Sequence, residues 1–174
     1  MRSNRVRLLV ALAFTLVVAV ALRAQQQQKQ PPDPARALTG QLTSITKQVM
    51  EMAEDFPAEK YEFKATPEVR SFREVIVHAM SGTQYAAKAG RGENVQWDEL
   101  DAMNYKDKAA VVEAFKKISA DLDASLKATP ATRFASSPQP WLAVVEHTGE
   151  HYGQLVVYYR LNKLVPPASR PKKK

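Results

Sequence analysis

Apolar residues recur at three- and four-residue steps in four stretches of the chain, and nowhere alternate in twos for long enough to make a strand. The first stretch carries Leu38, Leu42, Ile45, Val49, Met52 and Phe56. Asp33-Pro34 opens it, a capping residue followed by proline at the first helical position, and Pro57 closes it. The second opens with Ser71-Phe72-Arg73-Glu74, a capping box in form, and presents Phe72, Val75, Ala79, Gly82 and Ala86 on one face until it runs out in "AGRGEN". The third, from about Lys106 to Ala128, turns Val111, Val112, Phe115, Ile118, Leu122 and Leu126 inward. The fourth runs from about Trp141 to Asn162, and "VPP" stops it. Loops are expected over "AEKYEFKATPEVR", over the stretch with Trp97 and Tyr105, and over the proline-rich "TPATRFASSPQP". Four helices of about 15–23 residues around one core predict an all-α fold, a four-helix bundle spanning residues 34–165.

The ends have a different character. "MRSNRVR" is basic, "LLVALAFTLVVAVAL" is apolar, and Ala24 precedes a polar stretch. That layout predicts a signal peptide over residues 1–24 and an exported protein, periplasmic or secreted, although Leu22 stands where a small residue is preferred. The alternative is an uncleaved anchor. Fifteen helical residues reach only about 22 Å, against a hydrocarbon core of about 30 Å, so no stable membrane anchor is expected after cleavage. "QQQQKQPPD", residues 25–33, reads as a disordered Gln/Pro-rich linker, and residues 166–174 as a basic C-terminal tail. The chain has no cysteine, so it forms no disulfide and carries no lipid on a thiol.

Charge adds one exclusion. The formal +7 is concentrated at the ends. Four positive charges belong to the leader and four to the last five residues, which leaves residues 25–169 near −1. A nucleic-acid partner calls for a basic face on the folded part, so none is expected.

The chemistry lies in the histidines, of which the chain has three. A helical residue turns about 100°. With His147 taken as zero, His151 falls at about 40°, Gln154 at about −20°, Tyr158 at about 20° and Val144 at about 60°. Both histidines therefore lie on the stripe that faces the core. Residues four apart bring their Cβ atoms to about 5–6 Å, close enough for two imidazoles to share an ion at about 2.0–2.1 Å. His78 lies on the inward face of the second helix, between Val75 and Gly82. Three buried neutral imidazoles would each demand a hydrogen-bond partner, and one divalent ion satisfies all three. His78, His147 and His151 are thus the expected metal ligands, against the alternative of three core histidines satisfied separately. His147-Thr148-Gly149-Glu150-His151 also matches H-x-x-E-H of inverted zinc peptidases. Nothing after Glu150 is acidic, so that scheme has no third ligand here.

"FPAEKYEFKATPEVRSFREVIVHAM" and "VVEHTGEHYGQLVVYYRLNKLVPPAS" are similar to two blocks of a known family. The chain resembles the DinB-like (DNA-damage-inducible) superfamily of metal-dependent four-helix-bundle proteins over about residues 34–169. The first block carries a ligand histidine at His78. The second meets the family's H-x-x-x-H-x-G-Q pattern with His147, His151, Gly153 and Gln154. The resemblance implies a bundle with a three-histidine site for one divalent metal ion, Zn or Ni, with open positions for water. It also implies a metal-dependent enzyme acting on a small-molecule substrate, some relatives being thiol-dependent S-transferases or isomerases. Relatives often pair, which allows a homodimer, although no interface signature stands out. Lys163 stands where many relatives have glycine, which predicts a left-handed conformation at Asn162. The leader is the larger departure: low-molecular-weight thiols are mainly cytosolic, so a hydrolase is favoured over a thiol transferase. A non-catalytic bundle stapled by its ion is the remaining alternative.

Around the ion, Glu150 lies about −60° from His147, as a base at the open position or as a solvated carboxylate. Gln154 orients a ligand or a water, or simply caps the stripe. Tyr85, on the face of His78, points a hydroxyl at the site or packs as an ordinary core tyrosine. Gly82 costs about 1 kcal/mol relative to alanine inside a helix, which suggests that space is needed there for the ion or the facing helix. Trp97 and Tyr105 are candidates to roof a pocket.

Overall fold

A computed structural model describes residues 33–171. The expected leader, the linker up to residue 32 and the last three lysines lie outside them. Among the described residues the fold is all-α, with five helices and no strand: α1 (Pro34–Asp55), α2 (Phe72–Gly90), α3 (Lys108–Ala128), α4 (Ala131–Ser136) and α5 (Gln139–Leu161). None is long and apolar enough to cross a membrane. The four long helices follow the four periodic stretches. α1 and α2 each pack against both α3 and α5 but meet one another only briefly, so α1 stands diagonally opposite α2.

Local chemistry sets the boundaries. Ser71 closes a complete capping box on α2: its hydroxyl accepts from the Glu74 N–H at 3.3 Å, and its own N–H donates to Glu74 Oε2 at 2.5 Å. α3 begins two residues later than the periodicity suggests, because the Asp107 carboxylate caps it through the Ala110 N–H at 2.8 Å. α5 begins two residues earlier than expected, with Pro140 in the first turn, where no N–H is needed. The short helix α4 occupies part of the expected loop and buries Phe134 against Trp141, ring centroids 4.5 Å apart.

α2 is the central element. Twelve of its 19 residues are buried, including Ile76, Val77, Met80 and Thr83 beyond the predicted face, because α3, α5 and the connecting segments cover it. At its start, Phe56 stacks on Phe72 at 3.8 Å, with Tyr61 and Tyr159 beside them. At its end Gly90 is required: a Cβ there would lie 2.0 Å from Ser125 Oγ, whose hydroxyl donates to the Ala87 carbonyl and joins α3 to α2.

The end of α5 corrects one expectation. Lys163, not Asn162, takes the left-handed conformation, at φ 59°. The Leu164 N–H then reaches the Tyr159 carbonyl and the Lys163 N–H the Arg160 carbonyl, closing a Schellman turn. Asn162 stays right-handed and donates from its side chain to the Tyr158 carbonyl. Beyond it Arg170 turns back, forming a bidentate pair with Asp55 at 2.7 and 2.5 Å. Tyr159 donates to the same carboxylate.

Candidate metal centre

The packing of α2 against α5 brings the three histidines together. His78 comes from α2, His147 and His151 from successive turns of α5. Their ring centroids lie 4.5–4.7 Å apart, and one nitrogen from each falls within 4.8 Å of the others. Among the described residues this is the one such group that could hold a metal ion.

Hydrogen bonds on the far side of two rings fix which nitrogen is free. Both Glu99 oxygens face His78 Nδ1, at 2.6 and 2.7 Å. A carboxylate can only accept, so the proton sits on Nδ1 and Nε2 keeps its lone pair. His151 Nδ1 meets Gln154 Oε1 at 3.1 Å. The Gln154 amide nitrogen in turn donates to the Tyr158 hydroxyl, which donates to the Arg70 carbonyl at 2.6 Å. That chain sets the orientation of the glutamine, places the proton on His151 Nδ1 and leaves its Nε2 free.

His147 completes the set. Its Nε2 lies 2.9 Å from His78 Nε2, while its Nδ1 is buried with no hydrogen-bond partner. Two nitrogens at about 2.0–2.1 Å from one ion stand about 2.9 Å apart at a right angle and about 3.4 Å apart in a tetrahedron. The observed spacing fits either with little movement. Burial pulls the His147 pKa down to about 3, helped by His151, His78 and Arg70, and burial lowers that of His151 too. Both rings are therefore neutral near pH 7, the form that ligates.

Three residues of α2 shape the surroundings. Gly82 makes room: a Cβ on it would lie 2.8 Å from two atoms of the Trp97 ring and 3.1 Å from His147 Nδ1. The space is thus taken by Trp97, which sits against His147 with centroids 4.6 Å apart. Ser81, fully buried, accepts the Leu100 N–H at 2.9 Å and anchors the segment that carries Trp97 and Glu99. Arg73 holds the same segment from below through the carbonyls of Ala102 and Tyr105.

The other residues singled out in the sequence fall as follows. Gln154 touches His151. Tyr85 packs its ring on Trp97 at 5.2 Å, one ring removed from His147. Glu150 is exposed, and the structure gives it no hydrogen bond to any histidine. Tyr105 packs against the core rather than over the imidazoles. Glu99 and Arg70 are the residues the sequence did not single out. Each lies in a loop without periodicity, and nothing marks Glu99 among 18 acidic residues except the rule that a ligating histidine needs an acceptor for its remote N–H.

No curated protein matches the chain. The all-helical fold, the histidine trio and a match of the DinB superfamily model over residues 41–156 agree, and the chain belongs to the DinB superfamily.

Proposed function

We propose that the chain is an exported, metal-dependent hydrolase of a small-molecule substrate, with one zinc or nickel ion held by His78, His147 and His151. The observation that carries this reading is the convergence of three imidazoles with Nε2 free on two of them and Nε2 facing His78 on the third. Imidazole sets of this kind suit zinc and nickel, and three neutral ligands leave a coordination position for chemistry. When bound, such an ion supplies Lewis-acid activation of water at neutral pH. The chain's own residues do the rest. Glu99 keeps the proton of His78 on Nδ1 and places a negative charge behind the ring. Gln154, braced by Tyr158, does the same for His151 without charge. Trp97 screens His147 from water on one side.

Protein purified without a histidine tag should carry about one ion per chain, and His147→Ala should lose it. Rapid exchange of water on the bound ion, with modest change in melting temperature on chelation, supports catalysis. A melt that depends wholly on metal, with no exchangeable water, supports a structural staple instead. Cell fractionation tests export: an intact leader on cytosolic protein would return thiol transfer to the front.

A further inference from the structure

Arg70 is tied to the histidine cluster from two directions. Its backbone carbonyl ends the chain that begins at His151 and passes through Gln154 and Tyr158. Its guanidinium lies 3.8 Å from Glu99 Oε1, the carboxylate that holds His78. The residue thus closes a loop of contacts running from one ligand histidine to another.

Its side chain is nevertheless held only by that long ion pair with Glu99. A separation of 3.8 Å is beyond hydrogen-bond range, and both Glu99 oxygens already face His78. The guanidinium is half-exposed and donates no hydrogen bond among the described residues, so its N–H groups are open to an incoming acceptor. Two carboxylates face this region, Glu99 beside His78 and Glu150 near His151. With a divalent ion on three neutral imidazoles and Arg70 alongside, the net charge of the site stays positive. Such a site attracts anions, and a planar guanidinium recognises carboxylate and phosphate oxygens in pairs.

We infer that Arg70 is the specificity-determining residue: its guanidinium receives an anionic group, carboxylate or phosphate, of the small-molecule substrate whose reacting end lies at the three-histidine centre. This rests on the metal-dependent reading above. Substrates that carry such a group are bound in register, and neutral analogues are not.

The test uses cobalt-loaded protein, in wild-type, Arg70→Gln and Arg70→Lys forms, with metal content measured in each. Acetate, inorganic phosphate and neutral acetamide are titrated in, followed by the visible spectrum of the ion and by calorimetry. Loss of one charge-assisted contact should weaken anion binding about tenfold in Arg70→Gln, with acetamide and metal content unchanged. An effect on acetate alone assigns carboxylates, one on phosphate alone assigns phosphates, and either supports the inference. Equal anion affinity at equal metal content overturns the role of Arg70 and leaves the metal reading standing. Wild-type protein that takes up no ion overturns the metal reading and this inference with it. If Arg70→Gln sheds the ion, Arg70→Lys decides: it keeps the charge and the backbone tie to Tyr158, and should bind the anion about threefold more weakly for want of the paired donors. Undiminished binding in that variant overturns the inference.

Discussion

In the metal centre proposed above, removing the Glu99 carboxylate should weaken binding of an added divalent ion in graded steps. Its two oxygens lie 2.6 and 2.7 Å from His78 Nδ1, short enough for a charge-assisted bond. Outer partners of ligating histidines typically contribute about 10–100-fold to metal affinity, or about 1.4–2.7 kcal/mol. Two features place Glu99 toward the lower end. It is half-exposed, so water screens it, and Arg70 stands 3.8 Å from one oxygen and draws on the same charge. Glu99→Gln keeps a carbonyl oxygen that can still accept from Nδ1, and should weaken zinc binding about three- to tenfold. Glu99→Ala keeps nothing, lets the His78 proton move to Nε2 and should cost about 10–30-fold. Asp98→Asn removes a neighbouring charge without touching a histidine, and should stay within about twofold. Competition against a chelator of known affinity, at fixed pH and salt, measures all four proteins. An alanine variant that binds within twofold of wild type would refute the role of the carboxylate. An Asp98 variant as weak as the Glu99→Gln protein would show that only the general field matters.

Other outcomes follow from single contacts. Gly82→Ala gains about 1 kcal/mol in helix propensity but drives a methyl into Trp97 and His147; overpacking costs about 1–3 kcal/mol, so urea denaturation should show a net loss of up to about 2 kcal/mol with altered tryptophan fluorescence. Unchanged fluorescence would mean that Trp97 does not need the gap. Lys163→Gly relieves the left-handed strain at φ 59° and should stabilise the protein by about 0.5–1 kcal/mol in the same assay. The hydrogen bonds from Arg170 hold the Asp55 carboxyl below its usual range, so the stability it adds is complete above about pH 4 and fades as pH falls through its lowered value. Asp55→Asn should therefore flatten the pH dependence of the melting temperature in the acid range, and an unaltered slope would rule the pair out as a contributor.

The helices were legible because their signals are local and repeated. Ser71 and Glu74 specify the start of α2, and the apolar steps from Leu38 to Phe56 run the length of α1. The six-residue α4 is too short to show a period, and it hides between prolines. The three histidines were legible because their helical angles place each on an inward stripe, and the structure brings them into one cluster. Glu99 and Arg70 were not, since a loop residue reaches its partner only through the path of the loop. That path depends on contacts far apart in the chain, such as Ser81 with Leu100 and Arg73 with Ala102. Gly82 is expected to leave space for the ion or the facing helix; an indole brought in by that same path occupies it, together with His147 of the facing helix α5. The end of α5 shows a finer limit: glycine is the usual left-handed residue, yet a lysine accepts that role when two backbone bonds and a capping asparagine offset the strain.

Anchoring the 91–107 segment at Ser81 and Arg73 divides the labour of the protein. The imidazoles ride on packed helices and change only if the bundle itself is rebuilt. The indole over them and the acid behind them hang from two stitches on α2, at Ser81 and Arg73. New sequence in residues 91–99, ahead of those stitches, would change the indole and the acid beside the three imidazoles while leaving the imidazoles in place, so the surroundings of the trio can vary without rebuilding the bundle.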